Sequence, residues 1–585
     1  MVWKELTEGL AAALRATGLH TPERMARLEL SIPRESAHGD WTTNLALLIA
    51  REVGRSPRAV ADALAAAFPR DPATFAGVEV AGPGFVNFRY SQVFLDRLPG
   101  LIQDASGGFG SSAGGAGDRV LVEYVSANPT GPLNVVSARA AAVGATLVRL
   151  LRATGGAAAG EFYVNDAGRQ VDLLGESVAA RFAEAAGVER AFPADGYEGD
   201  YVREIAASLP AEQARMELGS ADRGVAWFRD QALEQMVHEQ RRDLEEYGAE
   251  FARWFRESEL HRSGAVTETL RALEARGMTY RARLPEVDRT AGTAPEGGPG
   301  EAAAELEEAT YLRTGSFGDD KDRVIVRSNG SPTYLLPDLA YHRDKRARGY
   351  RVAIDLWGPD HHAYVTTMKA ALAALGLESE FLEVLIVQQV NLWQTGADGQ
   401  REQVKMSKRR GRLVTLRDLV EDIGADCARF FFLMRSTNAH LDFDLDVARR
   451  QNDENPAFYV QYAHARIASI LRYAAERGLR PADRDAVRLA APEEVALARR
   501  LAGFPELVRG AAAAREPHRL PAYLVETAAE FHRFYHACRV VGEDDAVTRG
   551  RLLLAGAART VLANGLALMG VSAPERMERA TEVPA

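Results

Sequence analysis

At 585 residues the chain is too long for a single hydrophobic core and predicts several domains. Charged residues at 26% and hydrophobic residues at 46% exclude wholesale disorder, and a formal net charge of −10 excludes a protein that coats nucleic acid indiscriminately. Specific nucleic-acid binding stays open, because it needs only local basic strips. Arg343-Asp-Lys-Arg-Ala-Arg-Gly-Tyr-Arg351 and Lys405 to Arg412 are the candidates.

In chain order, Lys4, Glu5, Glu8 and Arg15 alternate with apolar positions, which predicts an amphipathic opening helix rather than a secretory signal. No uninterrupted apolar run reaches membrane-spanning length. Residues 1–115 read as a self-contained α/β unit, helical around Asn44–Val53 and strand-like along Ala81-Gly-Pro-Gly-Phe-Val-Asn-Phe-Arg89. Ser106 to Gly117 is a flexible linker by composition. Over residues 116–442 the apolar runs Val120–Val125, Val324–Val326, Val352–Leu356 and Leu385–Val390 alternate with helical patterns. That order predicts a parallel sheet binding ligands at its carboxyl edge. A largely helical insertion, about 168–320, interrupts it and carries a Gly/Ala/Pro/Glu-rich loop, Thr290 to Ala304. Residues 443–585 show helical periodicity and no strand pattern. Cys427 and Cys538 have neither metal-type spacing nor a disulfide framework, so both are expected as small buried apolar residues in a reducing cytoplasm.

Two distant segments carry the chemistry. Ser126-Ala-Asn-Pro-Thr-Gly-Pro-Leu-Asn-Val-Val-Ser137 links an apolar strand to an Ala-rich helix, and Val404-Lys-Met-Ser-Lys-Arg-Arg-Gly411 is a short basic loop. A helix start offers unpaired N–H groups and the positive end of the helix dipole to a phosphate. Lys405 and Lys408 would approach the phosphates from the other side and stabilise charge that grows in a transition state. Gly411 gives that loop freedom to close.

The basic segment matches the signature of class I aminoacyl-tRNA synthetases letter for letter through Lys408. Along nearly its whole length the chain is similar to the arginyl-tRNA synthetase family. His38-Gly-Asp-Trp-Thr-Thr-Asn-Leu-Ala46 and Ala81 to Asn87 resemble that family's tRNA-elbow domain. Glu123 to Leu133, Phe162-Tyr-Val-Asn-Asp-Ala-Gly168, Arg327 to His342 and Trp357-Gly-Pro-Asp-His-His362 resemble its catalytic core. Asn455 to Arg466 resembles the opening of its anticodon-binding bundle, and Ala573-Pro-Glu-Arg-Met577 its ending. The resemblance implies an α/β fold with three parts: an N-terminal tRNA-elbow domain at 1–115, a split Rossmann-type catalytic domain at 116–442 with the signature loop at 405–411, and an all-α anticodon-binding bundle at 443–585.

The resemblance also implies an ATP-dependent ligase that forms arginyl-adenylate and passes arginine to the 3′ end of its tRNA. A guanidinium is planar and permanently charged, so selecting it calls for carboxylate or amide acceptors in fixed geometry. By resemblance Glu123, Asn128, Tyr334, Asp338 and His362 line that pocket. Tyr334 and Asp338, four residues apart, share a face if a helix begins there. ATP is expected at Pro129, Thr130, Gly131, Asn134, Ser137, Gly358, Asp360, His361, Met406, Ser407 and Lys408. Lys405, Lys408, Asn134 and Ser137 are the expected catalytic groups. Mg²⁺ is expected only with the nucleotide, and no protein metal site is expected. For tRNA the candidates are Asn44, Phe85 and Phe88 in the first domain and Tyr459, Tyr462 and His464 in the last. The family also implies a cytoplasmic monomer, without membrane attachment, that activates arginine only with tRNA bound.

The chain departs from the family at the phosphate edge. Where the family reads His, an aliphatic residue, Gly, His, this chain has Asn134, Val135, Val136 and Ser137. Asn134 and Ser137 donate hydrogen bonds but carry no positive charge, and Val136 fills space a glycine leaves to the adenine. Loss of both histidines is worth about 10² or more in rate by the usual cost of a lost donor at such sites. Two readings follow: a working ligase with an altered ATP edge, or a tRNA-binding paralogue that no longer activates arginine. The lysine loop and the pocket acids are intact, which favours the first. A synthetase for another amino acid is disfavoured by the paired acids and the elbow-type domain.

Overall fold

Five short strands lie side by side as one parallel sheet, in the order Leu382–Ile386, Val352–Trp357, Arg119–Glu123, Ala157–Val164, Arg253–Arg256. The first strand in sequence, Arg119–Glu123, is central. The chain adds neighbours on one side of it, then crosses to the other, so connections leave in opposite directions beyond Glu123 and Trp357. Such a reversal opens a crevice at the carboxyl ends of the strands, where sheets of this kind bind ligands. Helix Val135–Ala153 covers the sheet closely because its face is small; a Cβ on Gly144 would sit 2.2 Å from the Tyr124 ring.

The computed structural model describes residues 2–577 except 34, 115, 116, 118, 221–223, 284–307, 397, 405–413, 484–486 and 543. They fall into two compact units, Ala113–Arg450 and Met1–Ser112 with Gln451–Ala585.

Within Ala113–Arg450 the sheet differs from the expected one at four places, the first being Ala157–Val164, a strand beside Arg119–Glu123 that was not among the expected runs. Arg253–Arg256, inside the stretch read as an insertion, is its edge strand. Val324–Val326 does not join it, because Arg323–Val326 pairs antiparallel with Glu308–Leu312, which pairs with Thr279–Arg283. The run Leu385–Val390 divides: Leu382–Ile386 stays in the parallel sheet, while Val390–Thr395 joins Arg401–Gln403 and Leu441–Asp444 in another sheet. A strand therefore crosses residue 443, where only helices were expected. A run of four residues, Leu-Asp-Phe-Asp, is too short for periodicity to separate strand from helix. The loop Thr290–Ala304 lies outside the described residues.

In the other unit, Trp41–Thr43, Phe85–Tyr90 and Phe75–Ala81 form an antiparallel sheet under helices Val2–Ala16 and Pro57–Ala67. Helices Pro456–Glu476, Pro492–Ala502, Arg519–Ala537 and Asp545–Met569 make the bundle. Among the described residues Asp545–Met569 is long and apolar enough to cross a membrane, but Leu552, Leu554, Val561, Leu562 and Leu566 are buried against its neighbours, as in a core helix. The expected linker is fastened at its start: Asn564 Nδ2 donates to Ser106 O at 2.9 Å and Phe109 O at 3.0 Å. Cys427 and Cys538 are both buried.

Phe88 belongs to the core of this sheet, fully buried against Phe68 and Phe75, whereas Phe85 is 38% exposed. Phe88→Ala is expected to cost about 3–5 kcal/mol in urea unfolding, and Phe85→Ala about 0–1 kcal/mol. Equal small losses would contradict the assignment of Phe88 to the core.

Candidate active site at the sheet reversal

Beyond Glu123 the backbone turns through Val125 (φ 70°) and Ser126 (φ 40°). A β-branched residue in the left-handed region carries strain of about 1–3 kcal/mol, which persists where the surroundings impose it. The turn folds the Ser126 hydroxyl back, so that it donates to Glu123 Oε1 at 2.9 Å and accepts from Tyr163 N at 3.1 Å. The loop that follows is held from the helices inserted between strands. Tyr201 Oη donates to Thr130 O at 2.7 Å, and Gln240 Nε2 donates to Asn128 O at 3.2 Å and Gly131 O at 2.9 Å. Pro129 is buried beneath this loop and Asn128 is exposed on it.

Asn134 is the N-cap of helix Val135–Ala153. Its Oδ1 accepts from Val136 N at 2.9 Å and Ser137 N at 3.0 Å, with Ser137 Oγ 3.4 Å away. Two of the N–H groups expected to await a phosphate are thus already satisfied. Asparagine is among the best caps, and an internal cap competes with any ligand for those donors. The donor Asn134 retains for a ligand is its Nδ2 amide.

Lys405, Met406, Ser407, Lys408 and Gly411 lie outside the described residues, but both flanks of the loop are described. Val404 N donates to Leu392 O at 2.9 Å, closing the hairpin from which the loop departs. The chain returns at Thr415, which bridges Asn134, and at Leu416, whose N–H donates to Leu133 O at 2.8 Å. The segment that follows the basic loop therefore lies against the cap of the phosphate-edge helix. Arg139, fully buried in that helix, donates to the carbonyls of Gln388, Ser436 and Ala439, fixing the helix to the segments on either side of the hairpin. Across the crevice, Val352–Trp357 ends at Gly358 and a short turn, Pro359–His361. Asp360, His361 and His362 are exposed there, and the His361 ring lies 6.3 Å from Trp357.

Helix Leu335–Ala347 supplies the remaining groups. Asp338 is half-buried and accepts a hydrogen bond from Tyr364 Oη at 3.1 Å. Desolvation pushes its carboxyl up to about 7; His342 and Tyr364 oppose the shift, and Glu123 and Glu257 add to it. Tyr334 does not share that environment. It is the residue before the helix, and its side chain is 76% exposed. The phenol on Asp338 belongs instead to Tyr364, in the helix after the His361–His362 turn.

The expected basic strip at 343–351 is largely neutralised within the fold. Lys345 is fully buried and bonds Glu123 and Asp355. Arg348 pairs with Glu161 and Asp344, and Arg346 with Glu378. Lys345, His342, Tyr364 and Ser126 were missed as site groups. Helical spacing held a signal for two of them, since Asp338, His342 and Lys345 recur at four and three residues on one face.

Of the expected tRNA contacts, Asn44 donates to Glu29 at 3.3 Å and keeps a buried Oδ1 without a partner among the described residues. Tyr459 leans on His532, and half-buried Tyr462 stacks on Phe458 beneath Arg466. Phe88 and His464 are not available to a ligand. His464 is 3% exposed, and its Nδ1 donates to Pro574 O at 2.9 Å, a satisfied core histidine.

Residues 4–90 match the arginyl tRNA synthetase N terminal domain family, and residues 460–577 the DALR anticodon binding domain family. The chain is 43% identical to an arginine–tRNA ligase of Geobacillus thermodenitrificans over 98% of its own length and 99% of that protein's. It is 40% identical to one of Bacillus subtilis over 98% of each. A Thermus thermophilus arginyl-tRNA synthetase structure shares the fold, with a TM-score of 0.75 at 23% identity, covering 99% of this chain and 100% of that one.

Proposed function

The chain belongs to the arginyl-tRNA synthetase family, and on that premise we propose how its residues join arginine to tRNA. It is an arginine–tRNA ligase with a class I catalytic fold. Arginine's carboxylate attacks the α-phosphate of ATP in line and pyrophosphate leaves; the 2′-hydroxyl of the terminal tRNA ribose then attacks the carbonyl of the arginyl-adenylate, and AMP leaves. No side-chain nucleophile is needed, so catalysis is positioning and charge stabilisation.

Glu123 and Asp338 are the acceptors for arginine, assisted by Asn128, Tyr334 and His362. Tyr334 reaches the substrate only by swinging in from its exposed position. Asn134 Nδ2 and the Ser137 hydroxyl donate at the phosphate edge, and Lys405 and Lys408 stabilise the departing pyrophosphate. Pro129, Thr130, Gly131, Gly358, Asp360, His361, Met406 and Ser407 form the rest of the nucleotide site. Mg²⁺ arrives on the phosphates of ATP, the usual way this ion is held. Mg²⁺ so bound neutralises phosphate charge. Asn44 and Phe85 contact the tRNA elbow from the domain at 1–115, and Tyr459 and Tyr462 the anticodon from the bundle at 443–585. The enzyme acts in the cytoplasm as a monomer and activates arginine only with tRNA bound.

The observation that carries this reading is a half-buried carboxyl, Asp338, set within electrostatic reach of Glu123 at the sheet reversal and bonded only to a phenol among the described residues. A carboxyl protonated up to about 7 must lose its proton to pair with a guanidinium. Arginine binding therefore weakens as pH falls. In arginine-dependent ATP–pyrophosphate exchange with tRNA present, KM for arginine is expected to be level above about pH 8 and to rise about tenfold per unit below about pH 7. A KM that stays level down to about pH 5.5 would contradict the role of Asp338.

A further inference from the structure

The Lys345 ammonium is enclosed by three oxygens: Glu123 Oε2 at 2.6 Å, Asp355 Oδ1 at 2.9 Å and Asp355 Oδ2 at 3.0 Å. Three N–H donors meet three acceptors, which satisfies the group completely. The Tyr341 ring covers it, 4.3 Å from the nitrogen. Asp355 Oδ2 also lies 2.9 Å from His342 Nε2, while His342 Nδ1 donates to Asp338 O at 2.8 Å. Both ring nitrogens are thus placed as donors.

We propose that Lys345 is a positioning residue for arginine recognition, keeping Glu123 ionised and aimed at the pocket, with Asp355 and His342 holding Lys345 in place. The proposal rests on the reading of Glu123 as an arginine acceptor. Glu123 keeps 13% of its side chain open and has its second oxygen fixed by Ser126. Burial pushes its carboxyl towards the neutral form, and Asp355 pushes the same way; Lys345 and His342 pull it back. Asp338 and Tyr341 from the helix and Tyr163 from strand Ala157–Val164 also face it. None of these three is a cation. An enclosed carboxyl without its ammonium takes up a proton and stops attracting a substrate cation.

The test is ATP–pyrophosphate exchange with tRNA across a pH series, using the whole chain. Lys345→Met is expected to raise KM for arginine about ten- to hundredfold near pH 7, the scale of a lost charge-assisted hydrogen bond. KM for ATP should hold, and the arginine KM should recover as pH rises and Glu123 ionises. Lys345→Arg, which keeps the charge, should stay within about tenfold of the unmodified protein. Lys345→Met with Asp355→Asn removes one cation and one anion together, so it preserves the charge balance and reads the effect if the single variant does not fold. It too should raise KM for arginine. An unchanged arginine KM in the Met variants, or arginine and ATP KM rising together without recovery at high pH, would overturn the proposal. Glu123→Gln run alongside separates the two failures. If it raises KM for arginine while Lys345→Met does not, positioning by Lys345 is wrong and the acceptor reading stands. If it leaves KM for arginine unchanged, the acceptor reading fails and the proposal with it.

Discussion

Asp338→Asn is expected to lower kcat/KM for arginine by about 10²- to 10³-fold, the cost of removing one partner from a desolvated charge pair. The amide keeps the shape of the carboxyl and can still receive the Tyr364 hydroxyl, so the helix Leu335–Ala347 should survive the change. The guanidinium, however, loses an anion in a place where water does not replace it. Three observations should coincide in steady-state exchange kinetics. KM for arginine rises, KM for ATP stays, and the rise of KM at low pH disappears, because the group that titrates up to about 7 is gone. An Asp338→Asn protein with unchanged arginine kinetics would remove the carboxyl from the pocket.

Lys408→Ala should lower the rate of adenylate formation by about 10²- to 10³-fold in single-turnover measurements, with KM for arginine unchanged within about twofold. The reason lies at the phosphate edge. Asn134 spends its oxygen on the helix cap and has one amide left to donate, Ser137 offers a hydroxyl, and neither carries charge. On the proposed reading the protein's own positive charge for the departing pyrophosphate, beside that of Mg²⁺, comes from the lysine loop, after which Thr415 and Leu416 abut Asn134 and Leu133. A variant within about threefold of the unmodified rate would mean that the charge is supplied elsewhere.

The frame of the catalytic unit was legible because strands Arg119–Glu123 and Val352–Trp357 are apolar runs followed by turn-rich loops, and because the motif residues sit at their carboxyl ends. Elements without such a run were not legible. Arg253–Arg256 sets two aromatics between two arginines in only four residues, and its place at the sheet edge depends on Ala157–Val164 far upstream. Lys345 read as part of a basic strip because its partners, Glu123 and Asp355, come from two other elements; its spacing from Asp338 and His342 marks a shared helix face but not the ion pair. Some signals were present and passed over. Phe85 and Phe88 are three apart in one strand, so they face opposite sides and only one can meet a ligand. Asn134 before a helical run is a cap by residue type alone, which already limits what its side chain offers a phosphate. Tyr334 went the other way: it caps the helix with helical backbone angles and its carbonyl accepts from Asp338 N at 3.2 Å, yet its side chain lies exposed, which spacing alone does not reveal.

The most direct measurement of the central claim is charging of tRNA for arginine by the unmodified protein, with ATP, Mg²⁺ and labelled arginine. The account predicts ATP-dependent, arginine-specific charging, with Asn134 and Ser137 sufficient at the phosphate edge. Tight binding of the tRNA with no arginine transferred to its 3′ end would contradict it.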